Sequence, residues 1–416
     1  MKYIEKVKYW RHPSGTNCVF VYKDNSPLIS IDIWCKAGIS FEKKGEEGIA
    51  HLLEHMIFKG SNKLNPGEFD LKIESLGGSS NASTGYDDAH YYVLIPTNNF
   101  KESLSLLTNL VLIPKFNSNE FNLEKSVVIE EILQSNDQID ERIFNYFLKK
   151  VWIDHFYSKS ILGKVEDIKS IKISKLKNFH KSQYTSKNTC IAIAGNLPSD
   201  LIKILRDCEI NFATKSKGEY KVPNHKKLIK NAREIVFFEK LEFGRIYMAW
   251  QIPKDQKYLI GFEILASILS NGRNSRLIRS LKEEENIVES IYCDTSIGEF
   301  GGLFILEASC NNENLNIVEE KINKIIQNLI EEENLLIKDQ IRKAVKNIKR
   351  DYVFNLQTVS QLTSYYGSHL LWGRKNQFKN LEDYLNFWSK ISNFKLIINY
   401  LLKEKFTLLV KKINHE

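Results

Sequence analysis

The most informative stretch of this sequence is Gly48-Ile49-Ala50-His51-Leu52-Leu53-Glu54-His55-Met56. Its apolar residues recur at helical spacing and form a stripe that stops near Gly60: Ile49, Leu52, Leu53, Met56 and Ile57. Residues four apart on a helix share a face, with Cβ atoms about 5 to 6 Å apart, so His51 and His55 could hold one zinc ion. Glu54 would lie beside them as the general base for a water molecule at the metal.

The two histidines could instead be ordinary helix residues. With the 9 histidines of this chain and its acidic content, the pattern H-x-x-E-H is expected by chance in only about one such sequence in a hundred. The stretch also falls in a predicted helix, as the motif requires. We therefore predict one Zn²⁺ per chain. A catalytic zinc needs a third protein ligand and one open position.

A second predicted helix, from Asn119 to Gln134, offers carboxylates for that third position. Glu124 and Glu131 lie two helical turns apart and share a face, whereas Glu130 points about 100° away. Taken alone, acidic residues on a helix usually form a solvated face. Beside the histidine motif, Glu131 with Glu124 behind it is the better pair, because a carboxylate behind the ligands orients histidine N–H groups.

The organisation of the chain indicates two domains of the α+β class. Its 416 residues, 43% hydrophobic and 26% charged, are typical of a folded globular protein. Residues 214–230 hold a glycine, a proline and many lysines, which predicts a linker between domains at 1–213 and 231–416. Both halves repeat one order of strand and helix patterns, so each domain should be a mostly antiparallel sheet covered by helices. Residues 18–22 and 29–34 are expected to form a hairpin.

Charge, cysteines and hydropathy exclude several other classes. A net charge of +8 is modest for this length and does not indicate nucleic-acid binding. The six cysteines are dispersed with no C-x-x-C pair, which predicts reduced thiols without a disulfide frame. We find no apolar run of about 18 residues and no secretory signal pattern at the start, so we expect no membrane segment and a cytoplasmic location.

These residues together resemble the inverzincins, the group of pitrilysin, insulin-degrading enzyme and mitochondrial processing peptidase. In that family a glutamate ligand follows H-x-x-E-H by about 75 residues, and Glu131 follows His55 by 76 residues. Further similar stretches run along nearly the whole chain and are most specific in its first half: Trp34, Gly45 to Gly60, Gly77 to Thr84, Val127 to Ile132, and Ala194 to Asn196.

The resemblance implies a compact zinc endopeptidase, two chains of which close into a chamber around an unfolded peptide. It implies that His51, His55 and Glu131 are the ligands and that Glu54 is the general base. It also implies that Asn81-Ala82-Ser83-Thr84 is an edge strand on which substrate docks by adding a strand, a mode that grips backbone and tolerates varied sequences. Without the resemblance, Asn81 would be interpreted as a turn residue after two glycines.

The second half departs from the family at two positions. Residues 274–289 match a family stretch in which many active members carry an arginine and a tyrosine that hold the substrate carbonyl and the tetrahedral intermediate. Here those positions are Lys282 and Glu289. A lysine lacks the arginine fork, and a glutamate would repel an oxyanion. If the register slips, the residues that could substitute are Arg276, Arg279 and Tyr292.

We therefore expect a division of labour, in which this chain brings the zinc and a related partner chain brings the arginine and tyrosine pair. A homodimer stays open. Residues 270–273 hold one glycine, unlike the long glycine-rich loop of the noncatalytic processing-peptidase subunit, which favours the catalytic role. The alternative is a noncatalytic assembly or peptide-binding subunit of the same fold, and the intact zinc motif argues against it.

Overall fold

The computed structural model describes residues 6–208, 210, 212, 231–331, 334–375 and 377–413. The predicted linker, 214–230, lies outside these residues. The strands are β1 Lys6–Arg11, β2 Asn17–Tyr22, β3 Leu28–Cys35, β4 Ser79–Thr84, β5 Ala89–Pro96, β6 Thr189–Gly195, β7 Ala232–Phe238, β8 Gly244–Ile252, β9 Ser290–Gly298, β10 Gly301–Cys310 and β11 Lys405–Lys412. The helices are α1 Ile49–Ile57, α2 Glu68–Ser75, α3 Phe100–Leu112, α4 Ser118–Asp137, α5 Ile139–Val151, α6 Val165–Ser170, α7 Ile173–Gln183, α8 Leu201–Asp207, α9 Gln256–Ser270, α10 Leu315–Glu331, α11 Asn334–Phe354, α12 Val359–Leu371, α13 Gln377–Trp388 and α14 Ile391–Ile398, with a π-helical stretch at Ile278–Glu284.

The first sheet has six strands in the order β1-β2-β6-β3-β5-β4. Strand β6 runs parallel to β2 and antiparallel to β3, and the other neighbours are antiparallel. All seven residues of β6 are buried, as expected for a central strand with a hydrogen-bonded neighbour on both sides. Strand β4 lies at the edge, and this edge matters for the site below.

The predicted hairpin between β2 and β3 is wrong. Both strands form, but β6 lies between them and pairs with each. The two strands are close in sequence, and local pattern alone favoured direct pairing. A largely apolar strand more than 150 residues away needs a central position to bury both of its faces, and it takes this place.

The second sheet has five strands in the order β7-β11-β8-β10-β9. Strand β11 runs parallel to β7 and antiparallel to β8, just as β6 does between β2 and β3. The two sheets therefore share one topology, apart from the additional β1. The prediction of two similar α+β domains, each a mostly antiparallel sheet covered by helices, is confirmed.

The chain forms two compact units, and each contains a helical segment from the other half of the sequence. The first unit comprises Met1–Ser135, Lys159–Pro223 and Phe354–Lys375, and the second comprises Asn136–Ser158, Asn224–Val353 and Asn376–Glu416. In the first unit, a Cβ on Gly367 of α12 would lie 2.5 Å from the Trp34 ring on β3. In the second unit, Phe147 of α5 stacks on Tyr247 of β8 at 4.9 Å. The predicted domain bounds did not include this exchange.

None of the helices in the described part of the chain is long and apolar enough to cross a membrane.

Candidate metal centre

The N-terminus of helix α1 is fixed by a buried carboxylate. Gly48, the residue before the helix, has φ 93°, and a Cβ there would lie 2.6 Å from the Leu162 carbonyl oxygen, so only glycine fits. The Glu42 carboxylate accepts hydrogen bonds from the N–H groups of Gly48 at 3.0 to 3.1 Å and of Ala50 at 3.0 Å. Burial raises the pKa of Glu42 to about 8 despite these bonds. The sequence prediction missed this cap.

The apolar stripe of α1 determines which residues point away from the core. The stripe residues are fully buried: Ile49, Leu52, Leu53, Met56 and Ile57. His51, Glu54 and His55 lie on the opposite, half-buried side. The two histidine rings are 4.7 Å apart at their centroids. The helix predicted from this stripe is therefore present, with both imidazoles on one face.

Helix α4 brings Glu131 to the two histidines. Its Oε2 atom lies 3.8 Å from Nε2 of His51 and 3.6 Å from Nε2 of His55. One ligand atom from each of the three residues lies within 4.8 Å of the others. Bonds of about 2 Å in a tetrahedron separate ligand atoms by roughly 3.3 Å, so this set fits one zinc ion.

The protonation of His51 also suits a metal ligand. Burial, with a smaller contribution from His55, lowers the pKa of His51 to about 4. The ring is therefore neutral near pH 7, and neutral imidazole is the form that binds zinc.

Glu124 lies behind His55 and fixes its ring. Nδ1 of His55 donates to Oε2 of Glu124 at 3.0 Å, which leaves Nε2 of His55 facing Glu131. The other oxygen of Glu124 forms an ion pair with Nζ of Lys59 at 2.7 Å. The Glu124 side chain is only 8% exposed, so the lysine balances a buried charge. Lys59 was missed from the sequence, and it lies just after the end of α1.

Glu54 is held from the edge strand β4. The Thr84 hydroxyl donates to Oε2 of Glu54. Burial raises the pKa of Glu54, and this hydrogen bond partly opposes the rise. A second pair lies near this carboxylate: Nδ1 of His90 donates to the buried Asp32 at 3.1 Å, and the His90 ring stacks on Trp34 at 4.0 Å. The sequence prediction missed both members of that pair.

The segment Asn81-Ala82-Ser83-Thr84 lies in β4, which pairs only with β5 among the described strands. Its outer backbone groups are therefore open for a further strand. Asn81 is in the middle of this strand, so its interpretation as a turn residue is wrong. Ser79, Asn81 and Ser83 are exposed, whereas Thr84 is buried.

Lys282 and Glu289, where the sequence departs from the family pattern, both lie in the second unit and contact each other. Nζ of Lys282 donates to the Glu289 carbonyl at 2.5 Å. The suggested substitutes make local contacts too: Arg276 with Gln340, Arg279 with Glu284, and Tyr292 with Glu307.

Comparison with protein families finds two models that match successive parts of the chain. A model described as insulinase, peptidase family M16, matches residues 18–165, which include the three candidate ligands. A second model, the peptidase M16 inactive domain, matches residues 170–348. The chain belongs to peptidase family M16.

Several M16-like proteins are similar over most of their length. The zinc protease PqqE of Helicobacter pylori is 26% identical over 387 residues, which is 89% of this chain and 84% of that protein. A protein of Bacillus subtilis, named uncharacterized zinc protease YmxG, is 25% identical over 405 residues, 94% of each chain. The crystal structure of a protease from Helicobacter pylori has a TM-score of 0.85 at 22% identity and covers 98% of this chain and 100% of its own. Relatives of this M16 chain are thus named zinc proteases, and the solved structure shares its fold.

Proposed function

We propose that this chain is a zinc-dependent endopeptidase that cleaves unfolded or presequence-like peptides inside a chamber formed by two chains. The observation that carries the proposal is the convergence of His51, His55 and Glu131 on one point, with Glu54 beside them and the open edge of β4 adjacent. A metal site, a base and an open strand edge are the three parts that hydrolysis of an extended peptide needs.

The chain's own residues divide the work. The outer N–H and C=O groups of β4 would hold an extended peptide by backbone hydrogen bonds, whatever its side chains. A zinc ion bound by His51, His55 and Glu131 would supply Lewis acidity, which polarises a peptide carbonyl and lowers the pKa of water. Glu54 would take a proton from the attacking water and pass it to the departing amine.

We further propose that this chain is the zinc-bearing subunit of a heterodimer. Lys282 and Glu289 stand where the resemblance implies an arginine and a tyrosine. The Lys282 side chain already donates a hydrogen bond to the backbone carbonyl of Glu289. A carboxylate cannot donate a hydrogen bond to a developing oxyanion. A related partner chain with the arginine and tyrosine would complete the site.

The test is hydrolysis of a lysine-rich, unstructured peptide of about 25 residues, labelled with a fluorophore and a quencher. The zinc-loaded chain is assayed beside Glu54→Gln, each alone and with a co-expressed M16 chain that carries the arginine and tyrosine. We expect activity only with the partner and expect Glu54→Gln to lower it by about 10² to 10⁴-fold, the range for a general base.

Each other outcome has a clear meaning. Full activity of the isolated chain would contradict the heterodimer but keep the peptidase. Zinc binding without hydrolysis in any pairing would contradict the peptidase and favour a noncatalytic, peptide-binding subunit.

A further inference from the structure

Thr84 differs from its neighbours on β4 in where its side chain lies. On the face that Thr84 shares, Ser80 and Ala82 are half-buried and Thr84 is only 8% exposed, whereas Asn81 and Ser83 on the other face are exposed. Its hydroxyl donates to Oε2 of Glu54. Within the described part of the chain, this is the one hydrogen bond that the Glu54 carboxylate makes, and its other oxygen, Oε1, accepts none.

The backbone that follows Thr84 is held in place by hydrogen bonds. The next residue, Gly85, donates its N–H to the Asp88 carbonyl at 2.7 Å and closes the turn into β5. The carbonyls of Gly85 and Tyr86 accept hydrogen bonds from the N–H groups of Ile39 at 3.3 Å and Ser40 at 2.8 Å. The end of β4 is therefore set by several backbone hydrogen bonds and does not depend on the threonine side chain.

The same segment also reaches the metal-binding helix. Ile39 and Ser40 lead directly to Glu42, whose carboxylate caps α1 through Gly48 and Ala50. The strand end and the helix that carries Glu54 thus share one framework, and the Thr84 hydroxyl links them again at the other end. A side chain placed this way can orient a carboxylate closely, because its own position is fixed.

We propose that Thr84 is a positioning residue for Glu54, and that its hydroxyl aligns this base with a peptide docked on β4. This inference rests on the proposed function, since it takes Glu54 as the base. Holding Oε2 leaves Oε1 as the oxygen that receives the proton. Because Thr84 ends the docking strand, the base and the docked peptide are held in the same frame. A misplacement of about 1 Å in such a group can lower a rate by about 100-fold.

The test compares Thr84→Val with Thr84→Ser. Valine keeps the β-branched shape, which suits a strand, and removes the hydroxyl, whereas serine keeps the hydroxyl and removes the methyl group. With the labelled peptide and the partner chain, we expect Thr84→Val to lower kcat by about 10 to 100-fold with KM changed by less than about 2-fold. We expect Thr84→Ser to stay close to wild type and both variants to bind zinc as wild type does.

A second measurement does not depend on activity. Crystal structures of both variants with zinc should show the Glu54 carboxylate displaced in Thr84→Val and in its wild-type place in Thr84→Ser. An undisplaced carboxylate in Thr84→Val would overturn the inference. So would an equal loss of kcat in both variants, which would indicate packing, or a rise in KM alone, which would indicate a docking contact.

Failure of the proposed function looks different. If Glu54→Gln keeps wild-type activity, then Glu54 is not the base and the proposed function fails with it. If Glu54→Gln is inactive and Thr84→Val is fully active, only the role of Thr84 is refuted.

Discussion

The two units share a sheet topology, but only the first contains a metal-binding cluster among the described residues. In the first unit, β3 lies beside β6 and leads into α1. In the second unit, the corresponding strand β8 lies beside β11 and leads into α9. Helix α1 carries His51 and His55, whereas α9 carries no histidine and one acidic residue, Glu263. The chemistry therefore depends on a few side chains that the shared scaffold does not specify.

The two helices also differ in how they are covered. Helix α1 has a polar face that is half-buried and open to ligands. Helix α9 is packed by α13 and α14: a Cβ on Gly261 would lie 2.7 Å from Ile397, and the Trp388 indole donates to the Lys257 carbonyl. Contacts of this kind stabilise the second unit and cover the side of α9 that meets α13 and α14. The helix that follows the corresponding strand thus carries the candidate metal ligands in one unit and no such ligand cluster among the described residues of the other.

The largest effect on the difference between the two units is expected from removing Glu131, the candidate ligand on α4. We expect Glu131→Gln to lower the zinc affinity of the chain by more than about 100-fold, because losing a ligand exceeds the 10 to 100-fold typical of residues behind the ligands. Competition with a fluorescent chelator measures the affinity. The matched control is Glu130→Gln, whose side chain points about 100° away and should leave the affinity unchanged. Equal losses in both variants would contradict the assignment of Glu131.

A smaller loss is expected when Glu124 loses its cationic partner. Lys59→Met leaves a carboxylate that is 8% exposed without the ion pair at 2.7 Å. The buried carboxylate then lacks a counter-charge, so it holds His55 less well. We expect zinc affinity to fall by about 10-fold. Lys72→Met, which removes an exposed pair with Glu68, is the control and should bind zinc as wild type does.

The smallest effect is expected in the second unit, at Glu263. Burial, with help from Asp294, raises the pKa of Glu263 to about 7. A raised carboxyl pKa means that its contribution to stability is complete below the unfolded value and is lost as the pH rises through the folded value. The melting temperature should therefore fall between about pH 5 and pH 8. Glu263→Gln should reduce this fall in melting temperature without changing zinc affinity. If the variant has the same dependence of melting temperature on pH as wild type, the raised pKa of Glu263 is contradicted.

The features predicted best from the sequence are those set by local spacing. The stripe of α1 and the 76-residue step from His55 to Glu131 follow from period and motif. The position of β6 between β2 and β3, and the exchange of helical segments between the units, depend on contacts between residues far apart in the sequence, which no local pattern encodes.

Contacts made by ordinary polar residues were also invisible to sequence reasoning. Glu42 and Lys59 are residue types found on any surface, and their roles come from their partners in space, the N–H groups of α1 and the carboxylate of Glu124. Thr84 was predicted only as part of the docking strand, and its hydrogen bond to Glu54 was seen only in the structure.

The measurement that tests the central claim most directly is a zinc-bound crystal structure of the full chain, with anomalous scattering recorded at the zinc edge. Our account predicts one zinc per chain, bonded to Nε2 of His51, Nε2 of His55 and the carboxylate of Glu131, and none in the second unit. Zinc bound to other side chains, or a chain that stays metal-free in excess zinc, would contradict it.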